Sequence, residues 1–419
     1  MTLRSRLGRF WRALGPGLIT GAADNDPSGI ATYSIAGAAF GTSLLWVMLW
    51  VLPFMIAIQN MCARIGALSS CGLAGNIKRH YPLWLLVVAA VSLLGANIFN
   101  IGADIYGMAG ALNLIVPVNI QLLAIVMSVA ITALVIILRY RQIERIFKWF
   151  ALLLFVYGAA LFVVHPDWGL LLRDVLLPHV RLDRDFLFTL FAILGTTISP
   201  YLFFWQASQE AEDIRQDRPG LRVCKYRTVH PGVLANVSMD TRVGMAASNL
   251  ISFFIVSLAA STLFRAGMGG VATLREAAAA LEPLAGHLAF GLFAVGLVGS
   301  GLLAIPVLAG SAAYVVAELM GWPASLDRPF NRARQFYLVM VVAVLLGMLL
   351  PFIGITPIQA LYWSAIINGL ISPLLIMLII HMSSNPDIVG PHQSHPHIHG
   401  LGIAALFIVL TGALFVILS

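Results

Sequence analysis

The chain reads as an all-α polytopic membrane protein of about eleven transmembrane helices, the first and sixth of them discontinuous. Three observations predict this: an apolar composition, basic residues gathered on one side of the predicted spans, and two prolines set in polar breaks inside membrane-length apolar sequence. Of 419 residues, 60% are hydrophobic and only 10% charged, whereas a soluble domain carries about a quarter charged residues. Mean hydropathy is +0.91.

Apolar stretches of roughly 20 residues place helices near 14–37, 43–65, 83–110, 120–138, 146–164, 187–208, 244–265, 286–318, 333–352, 356–381 and 400–418. Of the 25 Lys and Arg, all but Arg173, Arg181, Arg184, Arg265 and Arg275 then fall on one side. That side holds Arg4, Arg6, Arg9, Arg12, the Arg64/Lys78/Arg79 group, Arg139 to Lys148, Arg215 to Arg242, and Arg328 to Arg334. The positive-inside rule makes it cytoplasmic, with the N-terminus inside and the C-terminus outside. The net charge of +7 is therefore topology, and no nucleic-acid partner is expected. The first apolar stretch lacks a small-residue cleavage site and carries Asp24 and Asp26, which suits a retained helix rather than a signal peptide. A bacterial inner (plasma) membrane is the expected location.

A single transmembrane domain spans 1–419. The connection 209–243, with Glu210, Glu212 and Asp213, reads as a solvated loop, and Val271 to Leu284 as a short surface helix. Glu318 and Asp327 read as surface charges, and Trp46, Trp50, Trp84, Trp149, Trp168 and Trp205 as interfacial anchors. Cys62, Cys71 and Cys224 form no CxxC pair or zinc spacing, so buried small apolar side chains are expected rather than a disulfide framework or metal cluster.

The breaks point to function. Asp24-Asn25-Asp26-Pro27-Ser28-Gly29 interrupts the first span, and Thr196-Thr197-Ile198-Ser199-Pro200-Tyr201 the sixth. Lipid cannot satisfy open backbone groups, so such breaks persist only where protein or a cavity takes over. Carboxylates at that depth mark ion or substrate pathways. Matching breaks five helices apart are those of an inverted repeat in a secondary transporter. One repeat runs over about 14–164 and the other over about 187–381, with an added helix at about 400–418. Pro27 frees the carbonyl of Ala23, and Pro200 that of Thr196. Gly21 and Gly29 ease unwinding. These carbonyls, the Asp26 carboxylate and the hydroxyls of Ser28, Thr197 and Ser199 form an oxygen-rich set suited to a hard cation.

The segment GPGLITGAADNDPSGIATYSIAGAAFGTSLLWVMLW, with Ile58-Gln59-Asn60, resembles the first two helices of the Nramp divalent-metal transporters, and GTTISPYLFFWQASQ resembles their sixth. The resemblance implies a LeuT-type 5+5 inverted repeat with metal held between the two breaks. The family's DPGN motif stands here as Asp26-Pro27-Ser28-Gly29, which keeps the carboxylate but loses the asparagine ligand at Gly29. The family's MPH motif stands as Ser199-Pro200-Tyr201, and the carbonyl ligand falls at Thr196. Loss of the thioether removes a bias toward softer metals. Together with Asp24 this implies Mn2+ or Mg2+ as cargo, in the direction of the Nramp-related magnesium transporters, with iron less favoured.

The proton relay of typical members is also depleted. Asp104 is kept, but Gly107 replaces a glutamate and Tyr201 a histidine, which implies weak or absent proton coupling. Asn249 resembles a gate asparagine, and Asn368 lies about one turn from the family's glutamine position. Both suit interhelical glue, as do Asn97 and Asn100. The segment with His392, His395, His397 and His399 is either a peripheral metal loop or a solvated loop.

The metal is cargo, and no cofactor is expected. An intramembrane enzyme is disfavoured, since the chain has no HExxH and no histidine beside Ser199. Two alternatives stand: an ordinary proton-coupled Mn2+/Fe2+ importer, and an amino-acid carrier of the same fold. The oligomeric state is open.

Overall fold

The computed structural model describes residues 15–137, 142, 153–217, 224–326 and 328–419, and every regular element among them is helical. The first span is α1 (Pro16–Asp24) followed by α2 (Pro27–Phe40). Then come α3 (Leu45–Ser69), the short α4 (Leu73–His80), α5 (Leu83–Asn113), α6 (Ile120–Ile137), α7 (Val156–Val164) and α8 (Trp168–Leu176). The sixth span is α9 (Arg184–Thr197) followed by α10 (Pro200–Asp217). The chain continues through α11 (Pro231–Ala259), α12 (Leu274–Ala279), α13 (Ala289–Met320), α14 (Arg334–Gly347), α15 (Pro357–Ser384) and α16 (Pro396–Leu418).

Nine runs among the described residues are long and apolar enough to cross a membrane, and one of them, Pro27–Ser69, joins the second half of the first span to the second span. The fifth predicted span falls outside the described residues up to 152, as do the N-terminal arginines, the Arg139–Lys148 cluster, Trp149 and Asp327.

Both breaks occur where the prolines place them. Two residues, Asn25 and Asp26, separate α1 from α2, and Ile198 and Ser199 separate α9 from α10. Each second half restarts with proline at its first position, where a missing N–H costs nothing and φ is preset. The broken spans pack on each other, α2 on α9 and α1 on α10. Around them stand α3, α5, α11, α13 and α15.

Glycine decides how close these helices come. A Cβ on Gly21 would lie 2.1 Å from the carbonyl oxygen of Gly244, and one on Gly195 would lie 2.1 Å from that of Ala365. Gly21 therefore serves backbone contact between α1 and α11 rather than the unwinding expected of it. The start of α1 is capped across the same crossing, with Gly17 N and Leu18 N donating to the Asp240 carboxylate at 2.6 and 3.2 Å. Those amides have no partner within their own helix.

Four expectations are corrected. The 209–243 connection is mostly helical, because its carboxylates pack inward: Glu210 and Glu212 are each 5% exposed. Glu212 accepts hydrogen bonds from the hydroxyls of Tyr314 and Ser325. Glu318 is not a free surface charge, since it accepts from Gly72 N at 3.0 Å and Gly75 N at 2.7 Å at the start of α4. Cys71 and Cys224 form a disulfide across a sequence separation of 153. The segment after 223 returns beside the end of α3, with Cys224 N donating to Ser69 O and Arg227 N to Leu68 O. Cys62 is buried and free, as expected. Trp205 is fully buried rather than interfacial, its ring 6.3 Å from that of Tyr314.

The surface helix expected near 271–284 is present as α12, closed by a Thr273–Glu276 capping box. Gly21→Ala should destabilise the protein by about 1–3 kcal/mol through overpacking, read as a lower thermal midpoint in detergent. Gly269→Ala, where a Cβ meets nothing within 4 Å, is the control. Equal midpoints would contradict the close-approach reading.

Candidate metal site

Asp26 ends the first break as the N-cap of α2. Its Oδ1 accepts from Gly29 N at 2.7 Å and from Ser28 Oγ at 2.8 Å, so the helix start holds the carboxylate in place. Its Oδ2 accepts from Asn100 Nδ2 on α5 at 3.1 Å. A Cβ on Gly29 would lie 3.1 Å from Thr196 Oγ1 and 3.4 Å from both Asp26 Oδ1 and Asp24 O. Oxygens of the two breaks thus converge where this chain has no side chain. The site is closed: Asp26 is 2% exposed, Thr196 1% and Ser199 2%.

Hydroxyls tie the breaks crosswise. Tyr201 OH on α10 donates to Ala23 O on α1 at 2.8 Å. Tyr33 OH on α2 and Thr197 Oγ1 on α9 share a hydrogen bond of 3.1 Å. Ser199 Oγ donates to Thr196 O at 2.5 Å. Both proline-freed carbonyls therefore carry a hydroxyl partner. Two further carbonyls around the second break are covered too, since Ser372 Oγ donates to Ile198 O and Gln59 Nε2 to Leu202 O.

The acidic groups lack a compensating charge. Asp24, Asp26 and Asp104 are buried, with no ion pair among the described residues. Asp24 Oδ2 accepts from Ser248 Oγ at 2.5 Å, while its Oδ1 has no partner. Neither oxygen of Asp104 has a side-chain partner, the Ser28 backbone amide lies against it, and Asp104 is close enough to Asp26 for their charges to interact. Buried carboxylates without a compensating charge are costly, and a cation between them removes that cost.

The remaining sequence-selected residues separate. Asn97 bridges to Leu308 O and Ser311 Oγ on α13 as interhelical glue. Asn249 Nδ2 donates to Met48 O at 2.5 Å. Asn368 is buried with neither amide atom partnered, so it is not glue here. Asn100, read as glue, instead holds Asp26. Its spacing marks it: Asn97, Asn100 and Asp104 recur at three and four residues along α5 and so share one helix face. Tyr33 and Ser248 carried no such signal.

The histidines do not converge. No group of three His, Cys, Asp or Glu among the described residues is placed to hold a metal. Pro396 starts α16, so His397 and His399 wind into its first turn while His395 only precedes it. His392 lies back against Tyr226, and its carbonyl accepts from Arg64 Nη2.

The natural resistance-associated macrophage protein-like (Nramp) family model matches residues 17–419. The "Divalent metal cation transporter MntH" of Klebsiella pneumoniae is 26% identical over 96% of this chain and 93% of that protein. That of Caldanaerobacter subterraneus is 24% identical over 97% and 93%. Among solved structures, the Eremococcus coleocola manganese transporter superposes with a TM-score of 0.75 at 18% identity, covering 99% of this chain and 87% of that one. MhsT in complex with L-phenylalanine superposes with a TM-score of 0.59 at 15% identity, over 95% and 98%. Both likenesses are of fold, and they bear out the LeuT-type architecture.

Removing the Asn100 amide should loosen Asp26, and such outer partners are worth about 10–100-fold in metal affinity. Calorimetric titration of Asn100→Ala with Mn2+ checks this, and an affinity equal to wild type would remove Asn100 from the site.

Proposed function

The chain belongs to the Nramp family, and from that premise we propose that it carries hard divalent cations, Mn2+ or Mg2+, by alternating access with weak or absent proton coupling. As a member it is a membrane transporter of divalent metal and not an enzyme. One observation carries the finer reading: the Asp26 carboxylate faces Thr196 across side-chain-free Gly29, so the candidate ligands are all oxygens.

Hard cations take oxygen ligands, and Mg2+ retains waters beside one or two carboxylates. Space left by the missing asparagine and thioether suits a cation that keeps part of its hydration. The names of the MntH relatives and of the manganese transporter support Mn2+. An ion coordinated by Thr196 O and Ala23 O would take those carbonyls over from the Ser199 and Tyr201 hydroxyls.

Weak coupling rests on the depleted relay. A Cβ on Gly107 would already lie 2.8 Å from Leu361 Cδ1, so a glutamate there needs Leu361 to move. Tyr201 is a neutral phenol near pH 7, and here it is committed to Ala23 O. Asp104 remains as the titratable neighbour of Asp26.

Two five-helix repeats with α16 appended, and a cytoplasmic basic end in an inner (plasma) membrane, complete the proposal. The matched proline restarts support the repeats, and Arg64, Lys78, Arg79, Arg215 and Arg328 support the sidedness.

Uptake of Mg2+, Mn2+, Fe2+ and Cd2+ into proteoliposomes tests the cargo. Mg2+ or Mn2+ should enter, and Asp26→Ala should fall to the lipid background. Ser199→Met should shift preference toward Cd2+ by about tenfold, or ~1.4 kcal/mol of differential binding. Strong Cd2+ or Fe2+ preference in the wild type, without Mg2+ or Mn2+ uptake, contradicts the hard-ion reading. A pH-sensitive dye inside the same vesicles should report well under one proton per metal, roughly none, since the relay lacks the titratable members replaced by Gly107 and Tyr201. A stoichiometry of one or more overturns the weak-coupling reading.

A further inference from the structure

We propose that a second site, a cavity of about 540 Å³ at the basic end of the bundle, binds a phosphate-bearing anion. It lies between α4, the end of α10 and the turn after α13. Among the described residues, Lys78, Arg79, Arg215 and Arg328 line it together with one carboxylate, Glu318, and the indole of Trp322. Beyond the sidedness they mark, nothing in the transport reading uses these residues.

The charges in this cavity are unbalanced. Glu318 is already engaged, accepting hydrogen bonds from Gly72 N and Gly75 N at the start of α4. Lys78 Nζ is held at 2.7 Å by Leu319 O, and Arg215, whose charge also acts on Glu318, donates from Nε to Ala211 O at 3.2 Å. Arg79 and Arg328 are exposed, with no hydrogen bond or ion pair among the described residues. Like charges around one concavity repel unless an anion offsets them.

Guanidinium forks match phosphate oxygens in geometry and form charge-assisted bonds with them. The volume lies within the range of small-ligand sites and leaves room beyond a bare phosphate. The Cys71–Cys224 pair lines one side, and Trp322 N donates to Ala317 O at 2.8 Å on the other.

Two sources carry this chemistry. Basic pockets beside transmembrane helices take phospholipid headgroups, and exposed Met320 at the end of α13 adjoins this one. A soluble phosphoanhydride presents the same oxygens.

The test uses the full-length protein in neutral detergent. Its thermal midpoint is followed during titration with phosphatidylglycerol and, separately, with inorganic pyrophosphate. Phosphatidylcholine and ionic-strength-matched sodium chloride are the controls. At least one phosphate probe should raise the midpoint saturably. The Arg79→Gln/Arg328→Gln variant should need at least about tenfold more of that probe, as loss of two charge-assisted bonds requires, while its unliganded midpoint stays at the wild-type value. A response to phosphatidylglycerol alone assigns a headgroup, to pyrophosphate alone a soluble anion, and to both the phosphate group itself. If the double variant does not purify folded, Arg79→Gln alone carries the same reading. Neither probe exceeding its control, or half-saturation unchanged in the variants, overturns the site.

Discussion

A helix interrupted inside a membrane must find a partner for each backbone group it exposes, because lipid offers none. This protein meets that requirement at both breaks with side chains from the opposite break, the next turn or the neighbouring helix α15. Ala23 O is covered by Tyr201, Thr196 O by Ser199 and Ile198 O by Ser372. The exposed amides at the start of α2 are turned on Asp26. The same oxygens that close the breaks are those a cation would use, so backbone satisfaction and cargo binding compete for one set of atoms.

Close helix packing supports this arrangement from outside. Gly21 and Gly195 let α1 and α9, the first halves of the two broken spans, sit directly on neighbouring backbones. Asp240 on α11 then fixes the start of α1 by its amides. The break is consequently anchored at a rigid crossing, and a movement of α1 has to release either the Asp240 cap or the Tyr201 bond.

Much of this was legible in the chain. Proline inside apolar sequence marked both breaks to the residue, and Asp26 announced itself as a carboxylate at membrane depth. The spans followed from length and hydropathy, because lipid imposes both. What escaped was whatever depends on partners distant in sequence. The disulfide joins Cys71 to a segment 153 residues away, and neither cysteine has a telling neighbour. Glu210, Glu212 and Asp240 look like loop charges, since hydropathy counts a carboxylate as solvated whether or not helices enclose it. Asn100 shared a face with Asp104, yet only the approach of α2 reveals that its amide meets Asp26. Closeness in sequence left the four histidines open to two readings, a metal loop or a solvated loop; the helix beginning at Pro396 takes His397 and His399 into its first turn and leaves His395 before it.

Mn2+ soaked into crystals, located by its anomalous scattering, tests the central idea most directly. The account predicts one strong peak between the breaks, about 2.0–2.6 Å from an Asp26 carboxylate oxygen and from the Thr196 carbonyl, with Ser199 and Tyr201 rotated off their carbonyls. A peak that leaves Asp26 bound only to Gly29, Ser28 and Asn100, or density confined to another part of the chain, would contradict it.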